Sequence, residues 1–77
     1  MARMRIWCRT SELGAGQFLA TVCAVPAPGE GPSSSFDAET RLFAKRAVAA
    51  MECTRMAEAM RERVAEHGHI VISMEEV

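Results

Sequence analysis

The sequence predicts an α+β domain in the order β-β-α-β: a three-stranded antiparallel sheet, strand order 2-1-3, with one long amphipathic helix on one face. Three observations carry this. Residues 3–10 alternate apolar and polar side chains. A Pro/Gly/Ser-rich break follows a second apolar run. Residues 37–67 then repeat apolar side chains at helical spacing.

In residues 3–10, Met4, Ile6, Cys8 and Thr10 alternate with Arg3, Arg5, Trp7 and Arg9, the period of a strand with one buried and one wet face. Residues 17–25 are apolar at nearly every position and form the second strand. Gly14-Ala15-Gly16 between them fits a three-residue hairpin loop in which Gly16 takes positive φ. That loop sets Cys8 opposite Val22, Ile6 opposite Ala24, Trp7 opposite Cys23 and Arg9 opposite Thr21. Ile6, Cys8, Phe18, Ala20 and Val22 then share an apolar face. Arg5, Trp7, Arg9, Leu19, Thr21 and Cys23 share the other.

Residues 26–36 hold three prolines, two glycines and three serines, which neither continue a strand nor start a helix, so an exposed flexible loop is expected. Asp37 has the side chain of a helix N-cap, with Ser35 the alternative. The helix is expected to run to about His67 and stop at Gly68. At about 100° per residue, Leu42, Ala49, Ala50, Cys53, Met56, Ala57, Met60 and Val64 fall on one side, with Arg41, Glu52, Arg55, Glu58, Glu62 and Glu66 opposite. Met51 falls on the outer face. Residues 69–75 form a last strand, with Ile70, Ile72 and Met74 toward the helix and His69, Val71, Ser73 and Glu75 away. An antiparallel place beside the first strand is favoured because antiparallel pairs are commoner.

The 77 residues make a single domain, 1–77, with a thin core. Net charge is −1, which gives no global attraction to nucleic acid. Locally, Arg3, Arg5 and Arg9 outweigh Glu12 near the start of the chain. Three widely spaced cysteines without a CxxC pair fit a reducing compartment, so a cytoplasmic location is expected. No run reaches the roughly 18 apolar residues of a membrane span, and the apolar stretch of a signal peptide is missing.

One helix covers one face of such a sheet and leaves the other open. An exposed apolar patch on a small protein points to a partner. Arg5, Trp7, Arg9, Leu19, Thr21 and Val71 are the candidate partner-binding residues, because Trp and Arg are the side chains that dominate interface energetics. Another protein, and a second copy of the chain in a homodimer, are the expected partners. Guanidinium groups flanking an indole also suit base stacking with phosphate contact, which keeps nucleic acid as the alternative. Against it stands the small number of arginines.

His67 and His69 could ligate a metal, but no further donor stands at ligand spacing. The simpler reading is a helix C-terminus favouring imidazolium. Cys8 and Cys53 read as small hydrophobes in the core, and Cys23 as the thiol that could be exposed. There is no paired carboxylate, no Ser/His/Asp set and no phosphate loop, since Gly29-Glu30-Gly31-Pro32-Ser33 lacks the lysine. The expectation is a non-enzymatic protein with no cofactor and no metal.

Residues 18–26, Phe-Leu-Ala-Thr-Val-Cys-Ala-Val-Pro, then the Gly/Pro/Ser loop, Asp37-Ala-Glu-Thr and an Ala-rich segment resemble the N-terminal domain of HicB-like antitoxins. The resemblance covers about 40 residues. The Gly-Asp-Thr usual before the family's helix is missing, and so is an additional DNA-binding segment. The layout is also similar to small phage-encoded proteins, including anti-CRISPR inhibitors. Both resemblances imply a regulator that acts by binding another protein.

Overall fold

A computed structural model describes residues 2–29 and 37–77. The elements are β1 (Arg3–Gly14), β2 (Gln17–Pro26), β3 (Asp37–Phe43), α1 (Arg46–Glu66) and β4 (Ile70–Glu76). They build an α+β fold: one helix on a four-stranded mixed sheet of order β3-β2-β1-β4. The part of the expected flexible loop at residues 30–36 lies outside the described residues.

The β1–β2 hairpin has the register expected from the sequence, with Cys8 opposite Val22 and Trp7 opposite Cys23. Its turn is tighter than expected. Gly14 pairs with Gln17, a bulge between Glu12 and Gly14 absorbs the extra residue, and Gly16 takes φ 74°. The bulge shortens the turn without changing the faces of residues 4–12.

Two expectations fail together. Asp37 does not cap the helix; it opens β3, which pairs antiparallel with β2. Residues 37–43 are rich in helix formers, but pairing against β2 overrides that weak local preference. The alternation of Asp37, Glu39 and Arg41 with Ala38, Thr40 and Leu42 is the strand signal. Leu42 therefore lies in a strand, and the helix starts at Arg46 after an extended Lys45 that makes no side-chain cap. The extra strand also reverses chain direction at every later element. β4 consequently runs parallel to β1, not antiparallel.

The faces of β4 differ as well. Val71 stands opposite Met4 and packs against the core, whereas Ile70 stands opposite Arg3 and is exposed. A bulge between Val71 and Ser73 shifts the alternation, so Met74 returns to the helix side opposite Ile6. Ile70, Ile72 and Met74 thus do not form one row. A bulge moves side chains between faces and leaves no mark in the hydropathy pattern.

The core lies between α1 and the β1–β2 hairpin: Met4, Ile6 and Cys8 from β1, Ala20, Val22 and Ala24 from β2, and Cys53, Met56, Ala57, Met60 and Val64 from α1. The helix stripe is the one expected, less Leu42 and the half-buried Ala50. All the buried side chains among the described residues are hydrophobic. The helix ends as expected, with Gly68 at φ 81° and the His67 Nδ1 donating to the Arg63 carbonyl at 2.8 Å. At the other end no acid occupies the first turn; Arg46 reaches out to Glu12 at 3.0 Å and lies over the Phe18 ring, 5.0 Å from its centroid. That contact ties the start of the helix to the tip of the hairpin.

Candidate interaction face

β1 is an interior strand, so its alternate side chains stand in the middle of each side of the sheet. Met4, Ile6 and Cys8 face the helix, which puts Arg3, Arg5, Trp7 and Arg9 on the uncovered side. The register adds Leu19, Thr21, Cys23 and Val25 from β2 and Ala38, Thr40 and Leu42 from β3. Ile70, Ser73 and Glu75 complete the side from β4.

Five of the six candidate residues therefore share this face: Arg5, Trp7, Arg9, Leu19 and Thr21. Val71 does not, because it packs under the helix. Thr40 and Leu42 join the face although the sequence placed residues 37–43 in the helix. Leu42 pairs with Leu19 and is 55% exposed. Cys23, expected as the exposed thiol, is buried; it lies directly across from Trp7, whose indole is large enough to shade it.

Trp7 is half-buried, and the Arg9 guanidinium lies 5.7 Å from its ring centroid, within cation–π range. On the other side of Trp7, Arg5 Nη2 donates to Glu75 Oε2 at 3.4 Å. The Thr21 and Thr40 hydroxyls are 3.3 Å apart across β2 and β3. Glu75 is the one acid on this side among the described residues, because Glu12, Asp37, Glu39 and Glu76 pair with residues of the helix-facing row. The uncovered side is thus an electropositive strip along β1, with an apolar flank of Leu19 and Leu42.

Shallow clefts open between the helix and β4. One, of about 130 Å³, runs between α1 and β4 past Cys8, Thr54, Ala57, Met74 and Glu76. Another, of about 250 Å³, is bordered by Arg61, Val71, Ile72, Ser73 and Met74. The Ser73 hydroxyl oxygen, beside the bulge of β4, is buried with no hydrogen-bond partner. His69, the second candidate ligand, accepts through Nδ1 from the Ala2 backbone N–H at 3.1 Å. No group of three or more His, Cys, Asp or Glu that could hold a metal occurs among the described residues. No helix among them is long and apolar enough to cross a membrane.

Comparison of the chain with protein-family models, with curated proteins and with solved structures returns no match.

Proposed function

We propose that the protein is a non-enzymatic interaction module that binds another protein through the uncovered side of its sheet. The observation that supports this most is the row Arg5-Trp7-Arg9 at the middle of that side, with Leu19 and Leu42 beside it. Tryptophan and arginine combine a large apolar surface with a weakly hydrated charge, which suits a desolvated anchor point. With Arg5 and Arg9 flanking Trp7 and Glu75 the one acid there among the described residues, the face favours a partner carrying carboxylates. Stacking two such faces would bring both pairs of Arg5 and Arg9 together, so homodimerisation belongs to a sheet edge instead. A cytoplasmic regulator of antitoxin or phage-inhibitor type is the finer form of this reading, resting on the resemblance alone.

The second reading is single-stranded nucleic acid on the same residues, favoured by the indole between two guanidinium groups. A photo-crosslinking residue placed at Thr21, with a control at Glu58 on the outer helix face, separates the possibilities in cells. A discrete protein adduct from position 21, absent from position 58 and lost with Arg9→Glu, is the expected result. Equal labelling from both positions would overturn the proposal. Crosslinked RNA or DNA, together with salt-sensitive binding of an oligothymidylate in vitro, would replace it with the second reading.

A further inference from the structure

The described sheet has β3 at one edge and β4 at the other, and the two edges differ in chemistry. β3 carries Asp37, Glu39 and Arg41, charges of the kind that discourage pairing with another chain. β4 reads Ile-Val-Ile-Ser-Met-Glu-Glu, without lysine, arginine or proline. Ile72 is 49% exposed and Met74 39%. Both border, with Arg61 of α1, the cleft of about 250 Å³, which no residue of β1 lines. That cleft therefore lies at the outer edge of the sheet.

The backbone of β4 is set for pairing on that edge. The Val77 N–H donates to the Cys8 carbonyl at 2.8 Å, and in a parallel ladder alternate residues turn their backbone groups to the same neighbour. Glu75 therefore turns toward β1 with Val77, while Met74 and Glu76 turn their N–H and C=O groups outward. The bulge lies upstream, between Val71 and Ser73, and Ser73–Glu76 keep a regular register with β1.

We propose that two copies of the chain join along β4, antiparallel about a two-fold axis at Met74, to make one eight-stranded sheet. Each Met74 then exchanges N–H···O=C bonds with its counterpart. Ile72 stands opposite Glu76 of the second copy, and Ser73 opposite Glu75. Charge selects this register. An axis at Glu75 would set the two Glu75 carboxylates opposite each other, which is destabilising. With the axis at Met74, Glu76 of the second copy arrives beside Ile72, where Arg61 borders the cleft. Glu76 stands opposite Cys8 and so lies on the helix side of the sheet, as Arg61 does. Arg61 is exposed, and its pair with Glu58 is long at 3.7 Å. Each copy thus supplies a carboxylate to the other's guanidinium, and Ile72 and Met74 of both are covered. This pairing rests on the placement of homodimerisation at a sheet edge and is independent of the Arg5-Trp7-Arg9 row.

Sedimentation equilibrium of the full chain from about 1 μM to about 1 mM tests the pairing. A reversible monomer–dimer equilibrium is expected. Met74→Pro removes a donor that points away from β1, so this variant keeps the fold by circular dichroism and stays monomeric. Arg61→Glu and Glu76→Arg each set like charges together and raise the dimer Kd more than about tenfold. Mixing these two variants in equal amounts restores association as a heterodimer, because both contacts then join opposite charges. Should Met74→Pro misfold, the mixing experiment decides the matter. An unaltered chain that stays monomeric up to about 1 mM, a dimer that persists in folded Met74→Pro or keeps its Kd in both charge variants, or a mixture no tighter than its components would each overturn the pairing. None of these results touches the protein adduct expected from position 21, so failure of the dimer and failure of the partner-binding face are told apart.

Discussion

Asp37 touches the far end of the helix it is suited by residue type to begin: its Oδ2 accepts from Arg63 Nε at 3.2 Å, in the last turn of α1. The carboxylate thus ties the start of β3 to the end of the helix. Both side chains are about 40% exposed, so solvent screens the pair. Asp37→Ala is expected to cost at most about 1 kcal/mol in urea unfolding and to leave helical circular dichroism unchanged. A loss of helical signal would place Asp37 back at the N-terminus of the helix.

Met60 is fully buried where α1 meets the hairpin. Met60→Ala removes its transfer free energy and leaves a cavity, at a cost of about 2–5 kcal/mol. For a domain this small that is a large share of the total stability. Leu42→Ser, on the uncovered side, is expected to stay within about 0.5 kcal/mol. Urea midpoints of the two variants, with the m-value checked for constancy, measure the contrast.

The buried Ser73 hydroxyl has no partner, and such a group carries a desolvation cost of about 1–3 kcal/mol. Ser73→Ala is therefore expected to be neutral or to raise the thermal midpoint, unlike most substitutions in a strand. A clear drop in Tm would mean that the hydroxyl does find a partner.

Cys53 ties stability to alkaline pH. Burial, then the hydrogen bond and charge of Cys8, then the charge of Glu76 push its thiol from 9.0 to about 12. The folded protein keeps this proton where the unfolded chain releases it, so the contribution is intact below pH 9 and is lost as pH rises toward 12. Urea midpoints measured stepwise above neutrality should fall across that window. Cys53→Ala should start lower and lack this part of the slope.

Much of the helix side was legible because period and burial agree there. The spacing of Cys53, Met56, Met60 and Val64 admits one reading, and the hairpin register of residues 4–12 is the one expected from the sequence, although a tighter turn and a bulge beside Gly14 produce it. The candidate face was legible in its β1 and β2 part for the same reason. What escaped depended on contacts distant in sequence. Residues 37–43 carry little intrinsic strand preference and become a strand because the edge of β2 is available to them. Missing one strand inverted the predicted direction of β4. The bulge beside Ile72 then moved Val71 off the candidate face, and no local pattern announces a bulge.

Along β1, odd and even positions answer to different masters. Ile6 is 1% exposed against the helix, while Trp7, its neighbour, looks away from it. Substitutions at 5, 7 and 9 change the chemistry of the open side while the architecture stands. Substitutions at 4, 6 and 8 strike the core and would bring it down. One strand thus carries two sets of positions, one that can vary freely and one that cannot.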